Sequence, residues 1–378
     1  MVERLFKRTI ALTAGGTGGH LLPAKRLARR LQQQLPGQPI VWFGQQLDSP
    51  LLAPLFRGEE ALHPFEVAAP SLKKGALLAR GRALLTHGQS FLRSLQLLRR
   101  LHCCCLVGFG SYQTLPVMLA GKALSLPLLL YEANAVPGRI IRLFAPKAKM
   151  TAIQFSASGS HLKGALAQVR WTTGLQTERL DERASSANYF GLQKELPILL
   201  VAGGSQGARA INELMGQLAT NWPTPSLQLL HLTGSEQVAA ALSAHYAQCG
   251  VQACVKAFEM QMEKALGCAD LYVGRAGAAT VAELVTSQLP ALLIPYPHAS
   301  DDHQWANGQE FVDRLGGGWL WREAEATPER LRSLLKAIWV DKTSPLEPYR
   351  ERLRQSQGEA LPSMEELLLA QITQLLVP

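Results

Sequence analysis

Two ionisable side chains of the first half of the chain sit where chemistry could be done. His20 follows the run "TAGGTGG", and four of the eleven residues 13–23 are glycine. Glu132 ends the apolar stretch "LPLLLYE" and is the single acid among 14 lysines and arginines between residues 67 and 177. An imidazole with an ordinary pKa of about 6.5 can accept a proton near neutrality, and a carboxylate at a strand end can do the same. Either is a candidate base for a hydroxyl proton. The alternatives are a capping or phosphate-binding role for His20 and a nearby Lys or Arg partner for Glu132. Glycines between a strand and a helix let backbone N–H groups approach an anion, which the helix start favours. The spacing is neither G-x-G-x-x-G nor G-x-x-x-x-G-K-[ST], so neither the dinucleotide nor the P-loop fingerprint applies. A turn without a ligand would leave His20 unexplained.

The elements around this run explain its position. "TIALTA" (9–14) reads as a buried parallel strand, and Leu21, Leu27, Ala28, Leu31 and Leu35 put one apolar face on a following helix. The arrangement recurs. "LPILLVA" leads into the glycines and Ser205 of "GGSQGA" (203–208) and another amphipathic helix; "CADLYVG" leads into "RAGAATVAE" (275–283). Further strands are expected at 39–44, 103–112, 126–134 and 290–297. Alternating strands and helices imply parallel sheets covered on both faces. The expected fold is α/β, two Rossmann-like domains facing across a cleft, with ligands at the carboxyl ends of their strands. The expected division is a first domain 1–177, a second domain 178–350 and a helical segment 351–378 packing back on the first. The boundary is expected in the polar stretch 180–196.

The 378 residues are 47% hydrophobic, enough for two cores. The six cysteines include three in a row, Cys103 to Cys105, and no C-x-x-C, so a reducing compartment and buried packing are expected rather than disulfides or zinc. The apolar start is too short for a signal peptide, and no run reaches the ~18 residues of a membrane span. Residues 1–177 carry 22 basic residues against 6 acidic ones, and residues 178–378 carry 16 against 23. The basic excess concentrates in 71–102, where Leu77, Leu84, Phe91 and Leu98 recur every seven residues beside Leu78, Leu85 and Leu92. Lys73, Lys74, Arg80, Arg82, Arg93, Arg99 and Arg100 surround them. Such a stretch reads as an element for an anionic membrane surface; the alternative is that much of its apolar face packs on the domain's own sheet. Gly81 and Gly88 suggest breaks into shorter helices. Phe91 is its only aromatic residue, which argues against nucleic acid. His87 and His102 read as exposed.

Together "GGTGGH", "GGSQGA", "GRAGAATVAE" and "PYPHASDDHQWANG" resemble the MurG family of N-acetylglucosaminyltransferases, in order over about four-fifths of the chain. The resemblance implies the GT-B fold and an inverting, metal-independent transfer from UDP-N-acetylglucosamine to lipid I, forming lipid II for peptidoglycan. No cofactor is implied. The expected location is the cytoplasmic face of the inner membrane, as a peripheral protein. Carried over by motif, Thr17, Gly18 and Gly19 match the loop beside the sugar and pyrophosphate, and Asn134 of "YEAN" matches a sugar-contacting amide. Ser205 matches a pyrophosphate ligand. Ala278, Ala279, Thr280, Val281, Ala282 and Glu283 match the helix start near uridine, with Glu283 on the ribose, and Gln304 matches a residue reading the sugar hydroxyls. The family's "GNPVR" stands here as "GLQTER", displacing its arginine to Arg179. Ala276 replaces a serine, and the family's "FIDDM" near uracil stands here as "FEMQM", so Glu259 would meet uracil only through its backbone.

The chemistry suits these residue types. No D-x-D is present for a divalent cation, so charge on departing UDP falls to the N–H groups of the 203–207 loop and Ser205. A carboxylate such as Glu283 can accept both hydroxyls of a ribose diol. The rivals are another UDP-sugar enzyme of this fold, such as a glycolipid glucosyltransferase or a 2-epimerase, and a non-catalytic nucleotide-sugar subunit. A soluble epimerase has no use for the basic half. A nicotinamide oxidoreductase would want G-x-G-x-x-G.

Overall fold

The computed structural model describes residues 8–15, 18–45, 47–48, 52–56, 62–70, 77–162, 169–171, 183–204, 207–356 and 362–376. It divides into one unit of residues 1–175 with 361–378 and a second of residues 176–360. The helix Glu347–Ser356 falls in the second unit, so the division comes after residue 360 rather than at the expected 350.

In the first unit, seven parallel strands run β1 (Thr9–Thr13), β2 (Ile40–Gly44), β3 (Leu62–Glu66), β4 (Cys103–Gly108), β5 (Leu128–Glu132), β6 (Met150–Ile153) and β7 (Val169–Trp171). Their order in the sheet is β3-β2-β1-β4-β5-β6-β7. β1, β2, β5 and β6 are buried along their whole length, which is why β1, β2 and β5 read as apolar stretches instead of alternating ones; the four-residue β6, with Thr151 inside it, gives no such signal. The helices between them are α1 (Gly18–Gln34), α2 (Ala53–Phe56), α3 (Leu77–Arg100), α4 (Leu115–Ala123), α5 (Arg139–Phe144) and α6 (Ser156–Ser160). Ala24, Leu27, Ala28 and Leu31 of α1 are fully buried, and each such Leu contributes about 1.5–3 kcal/mol. Helix α3 departs from expectation. It runs unbroken through Gly81 and Gly88, because Ala83, Ser90, Ser94 and Leu98 anchor one face and outweigh about 1 kcal/mol per glycine. Its apolar stripe divides: Leu98 is buried and Phe91 half-buried, whereas Leu84, Leu85 and Leu92 are 61%, 70% and 57% exposed.

The second unit opens with α7 (Arg183–Tyr189). Six parallel strands follow: β8 (Ile198–Ala202), β9 (Gln228–Leu232), β10 (Ala253–Lys256), β11 (Leu271–Gly274), β12 (Ala291–Leu293) and β13 (Gly318–Leu320). Their order, β10-β9-β8-β11-β12-β13, repeats that of the first six strands of the first sheet, which carries β7 in addition. The helices are α8 (Arg209–Ala219), α9 (Glu236–Gln248), α10 (Met262–Cys268), α11 (Ala278–Thr286), α12 (His303–Gln309), α13 (Pro328–Trp339) and α14 (Glu347–Ser356). A half-buried hub fixes the base of this sheet. Asp270 accepts from both Nη1 and Nη2 of Arg183, from Arg350 and from the Ile198 N–H. The last helix, α15 (Met364–Leu376), returns to the first unit and packs on α1, β4 and β6, burying Met364, Leu368 and Ile372.

In each sheet the strand order reverses beside the first strand, between β1 and β4 and between β8 and β11. That switch point is where such sheets bind ligands, and each glycine loop leaves the strand beside it. All six cysteines are free thiols; Cys103 and Cys105 are buried, and burial pushes the Cys103 thiol up to about 12. Among the described residues no helix is long and apolar enough to cross a membrane.

Candidate active site

In the first unit the candidate site residues gather at the carboxyl ends of the neighbouring strands β1, β4 and β5. Gly18 and Gly19 open α1, so their N–H groups belong to its unsatisfied first turn. His20 comes third, half-buried, with Nδ1 2.8 Å from the Phe109 carbonyl oxygen. A carbonyl can only accept, so Nδ1 carries the hydrogen, and in the neutral ring the lone pair lies on Nε2. Phe109 is held in turn by its N–H donating to Thr13 O at 3.1 Å. Gly110, at φ +78°, lies so near the imidazole that a Cβ would stand 3.4 Å from Cε1. Thr17 lies outside the described residues.

Glu132 is 2% exposed, and its partners among the described residues are neither Lys nor Arg. Oε1 accepts from the backbone N–H of Asn134 at 2.8 Å and from Asn134 Nδ2 at 3.1 Å; Oε2 accepts from the Gly138 N–H at 2.8 Å. Burial raises this carboxyl above the usual range, and those three hydrogen bonds offset part of the rise. Both oxygens thus close the 133–138 loop, which carries Asn134; Ser158 Oγ donates to the Asn134 carbonyl at 2.6 Å. His87 is not simply exposed. Its Nε2 lies beside Tyr112 Oη and 3.0 Å from Pro70 O, tying α3 to the loop after β4.

In the second unit, Gly204 and Gly207 adopt φ of +83° and +70°, and the Gly207 N–H closes a turn on Gly204 O at 2.9 Å. A Cβ on Gly203 would meet Ala208 N at 2.2 Å, and one on Gly207 would meet Thr233 O at 2.4 Å. No side chain fits at either position. Ser205 and Arg179 lie outside the described residues.

Beneath this loop runs a buried chain that the sequence did not signal. Tyr246 Oη donates to His231 Nδ1 (2.8 Å), His231 Nε2 donates to Asn212 Oδ1 (3.0 Å), and Asn212 Nδ2 donates to Thr233 O (3.0 Å). It fixes the carbonyl against which Gly207 packs. Burial lowers the His231 imidazole to about 4, so it stays neutral.

Helix α11 starts after Gly277. Ala278, Val281 and Ala282 face the core, while Ala279, Thr280 and Glu283 are half-buried. Burial first, and then the Glu283 charge, hold the Tyr272 phenol well above its usual range. Gln304, in the first turn of α12, accepts the Tyr296 N–H on Oε1 at 3.0 Å. The preceding Asp301 and Asp302 both adopt left-handed backbone, at φ 53° and 51°. Arg322 pairs with Asp302 at 2.8 Å and lies 3.6 Å over the Trp305 ring. Glu259 turns its side chain inward to Lys256 and the Gln261 N–H. Burial alone would raise its carboxyl, but those partners hold it below the usual range.

Residues 10–153 match the glycosyltransferase family 28 N-terminal domain, and residues 198–366 match the family's C-terminal domain. A protein of Protochlamydia amoebophila is 38% identical over 346 residues, covering 89% of this chain and 90% of its own length. It is named UDP-N-acetylglucosamine--N-acetylmuramyl-(pentapeptide) pyrophosphoryl-undecaprenol N-acetylglucosamine transferase. A Verminephrobacter eiseniae protein of the same name is 35% identical, covering 88% and 90%. The chain belongs to the MurG family.

The solved structure of Acinetobacter baumannii MurG superposes with a TM-score of 0.74 at 26% identity, covering 97% of this chain and 99% of that one. A UDP-glucose:anthocyanidin 3-O-glucosyltransferase in complex with UDP, at 13% identity and a TM-score of 0.69, shares the fold. The fold is therefore GT-B, built from two Rossmann-like units. As a MurG-family chain, it carries its glycine loops, the α11 start and Gln304 on carboxyl ends of parallel strands.

Proposed function

We propose that this protein transfers N-acetylglucosamine from UDP-N-acetylglucosamine to lipid I, with inversion and without a metal ion, giving lipid II. The observation that carries this reading is relatedness of 38% across nine-tenths of both chains to a transferase of that name. The first unit handles the acceptor and the second the donor.

His20 is the base in this reading. With Nδ1 committed to the Phe109 carbonyl, Nε2 takes the proton of the acceptor hydroxyl as its oxygen attacks the anomeric carbon and the bond to UDP breaks. The carbonyl then supports the imidazolium that forms. Glu132 acts at one remove, by holding the loop that presents Asn134 to the sugar. The N–H groups of Gly18 and Gly19, with Thr17, face pyrophosphate. Leaving-group charge is met by Ser205 and the N–H groups opening α8. The N–H groups of residues 278–282 border the nucleotide, with Glu283 on the ribose, Arg179 beside the nucleotide and Gln304 on the sugar.

The acceptor's lipid tail calls for a membrane-facing surface, and α3 supplies the chemistry. It exposes Leu84, Leu85 and Leu92 beside the exposed Arg82 and Arg93. Such a face is drawn to anionic lipid at about 1 kcal/mol per cation, which would hold the enzyme at the inner face of the cell membrane as a peripheral protein. Nucleic acid is not a partner in this reading.

The test is purified protein incubated with UDP-N-acetylglucosamine and a lipid I analogue, in buffer with EDTA, with lipid II followed by mass spectrometry. Product is expected, and His20→Ala is expected to lower turnover by about 10²–10⁴-fold while UDP affinity barely changes. No product from the wild type would refute the activity. Full turnover by the variant would take the base role from His20.

A further inference from the structure

Arg275 is a buried cation with no place in the chemistry above. It is 8% exposed, directly after β11. Its Nη1 donates to two consecutive carbonyls of the next loop, Ile294 O at 3.0 Å and Pro295 O at 3.1 Å. Its Nη2 lies 2.6 Å from a Glu323 carboxylate oxygen, and the guanidinium stands 5.5 Å from the Tyr296 ring centre. The N–H that follows those carbonyls, that of Tyr296, is the one that grips Gln304 Oε1. A return contact closes the arrangement: Asn307 of α12, wholly buried, donates from Nδ2 to Ala276 O at 3.1 Å. The loop after β11 thus holds the loop after β12 by an arginine, and α12 holds the loop after β11 by an amide.

One consequence concerns polarity. A side-chain amide can present its oxygen or its nitrogen, and the choice decides whether it accepts or donates. Here Oε1 already accepts the Tyr296 N–H, so Gln304 offers its NH2 group as a donor. That choice depends on where the Tyr296 N–H points, which is set by the two carbonyls just before it. The planar guanidinium holds both carbonyls through Nη1 while Nη2 faces Glu323, an arrangement fixed by its rigid fork; a lysine ammonium, a compact charge on a flexible stem, cannot hold the two carbonyls and the carboxylate with the same geometry.

We propose that Arg275 is the positioning residue for the sugar end of the donor, fixing Gln304 as a hydrogen-bond donor to a sugar oxygen. This rests on the reading that Gln304 contacts the sugar. Arg275 itself is sealed away from ligand and acts through the 294–296 backbone. UDP, which lacks the sugar, is bound independently of it.

The experiment compares the KM for UDP-N-acetylglucosamine with the Kd for UDP in Arg275→Met, Arg275→Lys, Glu323→Gln, Gln304→Ala and the Arg275→Met/Gln304→Ala double variant. Arg275→Met is expected to raise the sugar-nucleotide KM about tenfold, as for a lost hydrogen bond of about 1.4 kcal/mol, with UDP Kd within twofold of wild type. Arg275→Lys should fall between the two. Glu323→Gln, which keeps both carbonyl contacts, should match wild type. The double variant should be no worse than Gln304→Ala alone, because the two changes disable one device. Equal losses of UDP and UDP-sugar binding in Arg275→Met would mean general loosening and would overturn the proposal. So would an unchanged KM in Arg275→Met when Gln304→Ala raises it. An unchanged KM in Gln304→Ala would instead remove the reading of Gln304, and the proposal with it.

Discussion

His231 offers a measurable test of how the buried chain under the second glycine loop works. The folded ring titrates at about 4, held down by burial, against about 6.5 when the chain is unfolded. Between those values the unfolded ring holds a proton that the folded ring lacks, so stability rises with pH across that window. The contribution is fully present above about 6.5 and is lost as the pH falls towards about 4. A gap of about 2.5 pH units corresponds to about 3 kcal/mol in full, of which about 2 kcal/mol should be gone by pH 5. Protonation would also place a hydrogen on Nδ1 opposite the Tyr246 hydroxyl, which now donates to it. The perturbation is His231→Gln, which removes the titration. Urea unfolding at pH 7.5 and pH 5 should show the wild type losing about 2 kcal/mol more than the variant. A ring-proton NMR titration of the wild type reads the same pKa directly. Equal pH dependence in the two proteins, or a ring pKa near 6.5, would refute the reasoning.

Glu132→Gln should destabilise by about 1–3 kcal/mol, because its NH2 must face either the Asn134 or the Gly138 N–H and leave a buried donor unpaired. Thermal unfolding checks that value, and turnover should fall less than in His20→Ala; the reverse ranking would transfer the base role to Glu132. For the membrane, reversing Arg80, Arg82 and Arg93 to Glu should abolish co-sedimentation with anionic vesicles while leaving turnover on a short-chain soluble acceptor intact. Wild-type binding should weaken with salt, since the screening length is about 8 Å at physiological ionic strength. Undiminished pelleting of the triple variant would reduce α3 to a solvated face.

The parts of the fold legible in the sequence were those where burial is two-sided. β1, β2, β5 and β8 lie inside their sheets and carry apolar stretches, so the glycine loops after β1 and β8 could be placed at strand ends. β3, β10 and β13 lie at sheet edges and are partly exposed, β10 and β13 are also short, and nothing in their composition separates them from loops. β9 was hidden for another reason. Its buried Gln228 and His231 break the apolar run, and only tertiary partners make them tolerable: Gln228 exchanges hydrogen bonds with the Gln193 backbone at 2.8 Å in both directions. Candidate site residues on motifs could be named by type and order. Arg275, Asn307 and the partners of Glu132 could not, because a buried polar group is defined by what lies across from it, and that neighbour is distant in sequence.

The return of α15 to the first unit sets an order of events during synthesis. The first unit emerges from the ribosome first, yet the helix that covers α1, β4 and β6 is encoded beyond the whole of the second unit. At about 5–20 residues per second, the roughly 185 residues between them take on the order of 10–40 s to make. Throughout that interval the surface later covered by Met364, Leu368 and Ile372 stands open. The second unit, contiguous in the chain, can finish folding before the first. The half made earliest is thus completed last, and for those seconds its uncovered apolar face is a natural target for chaperones.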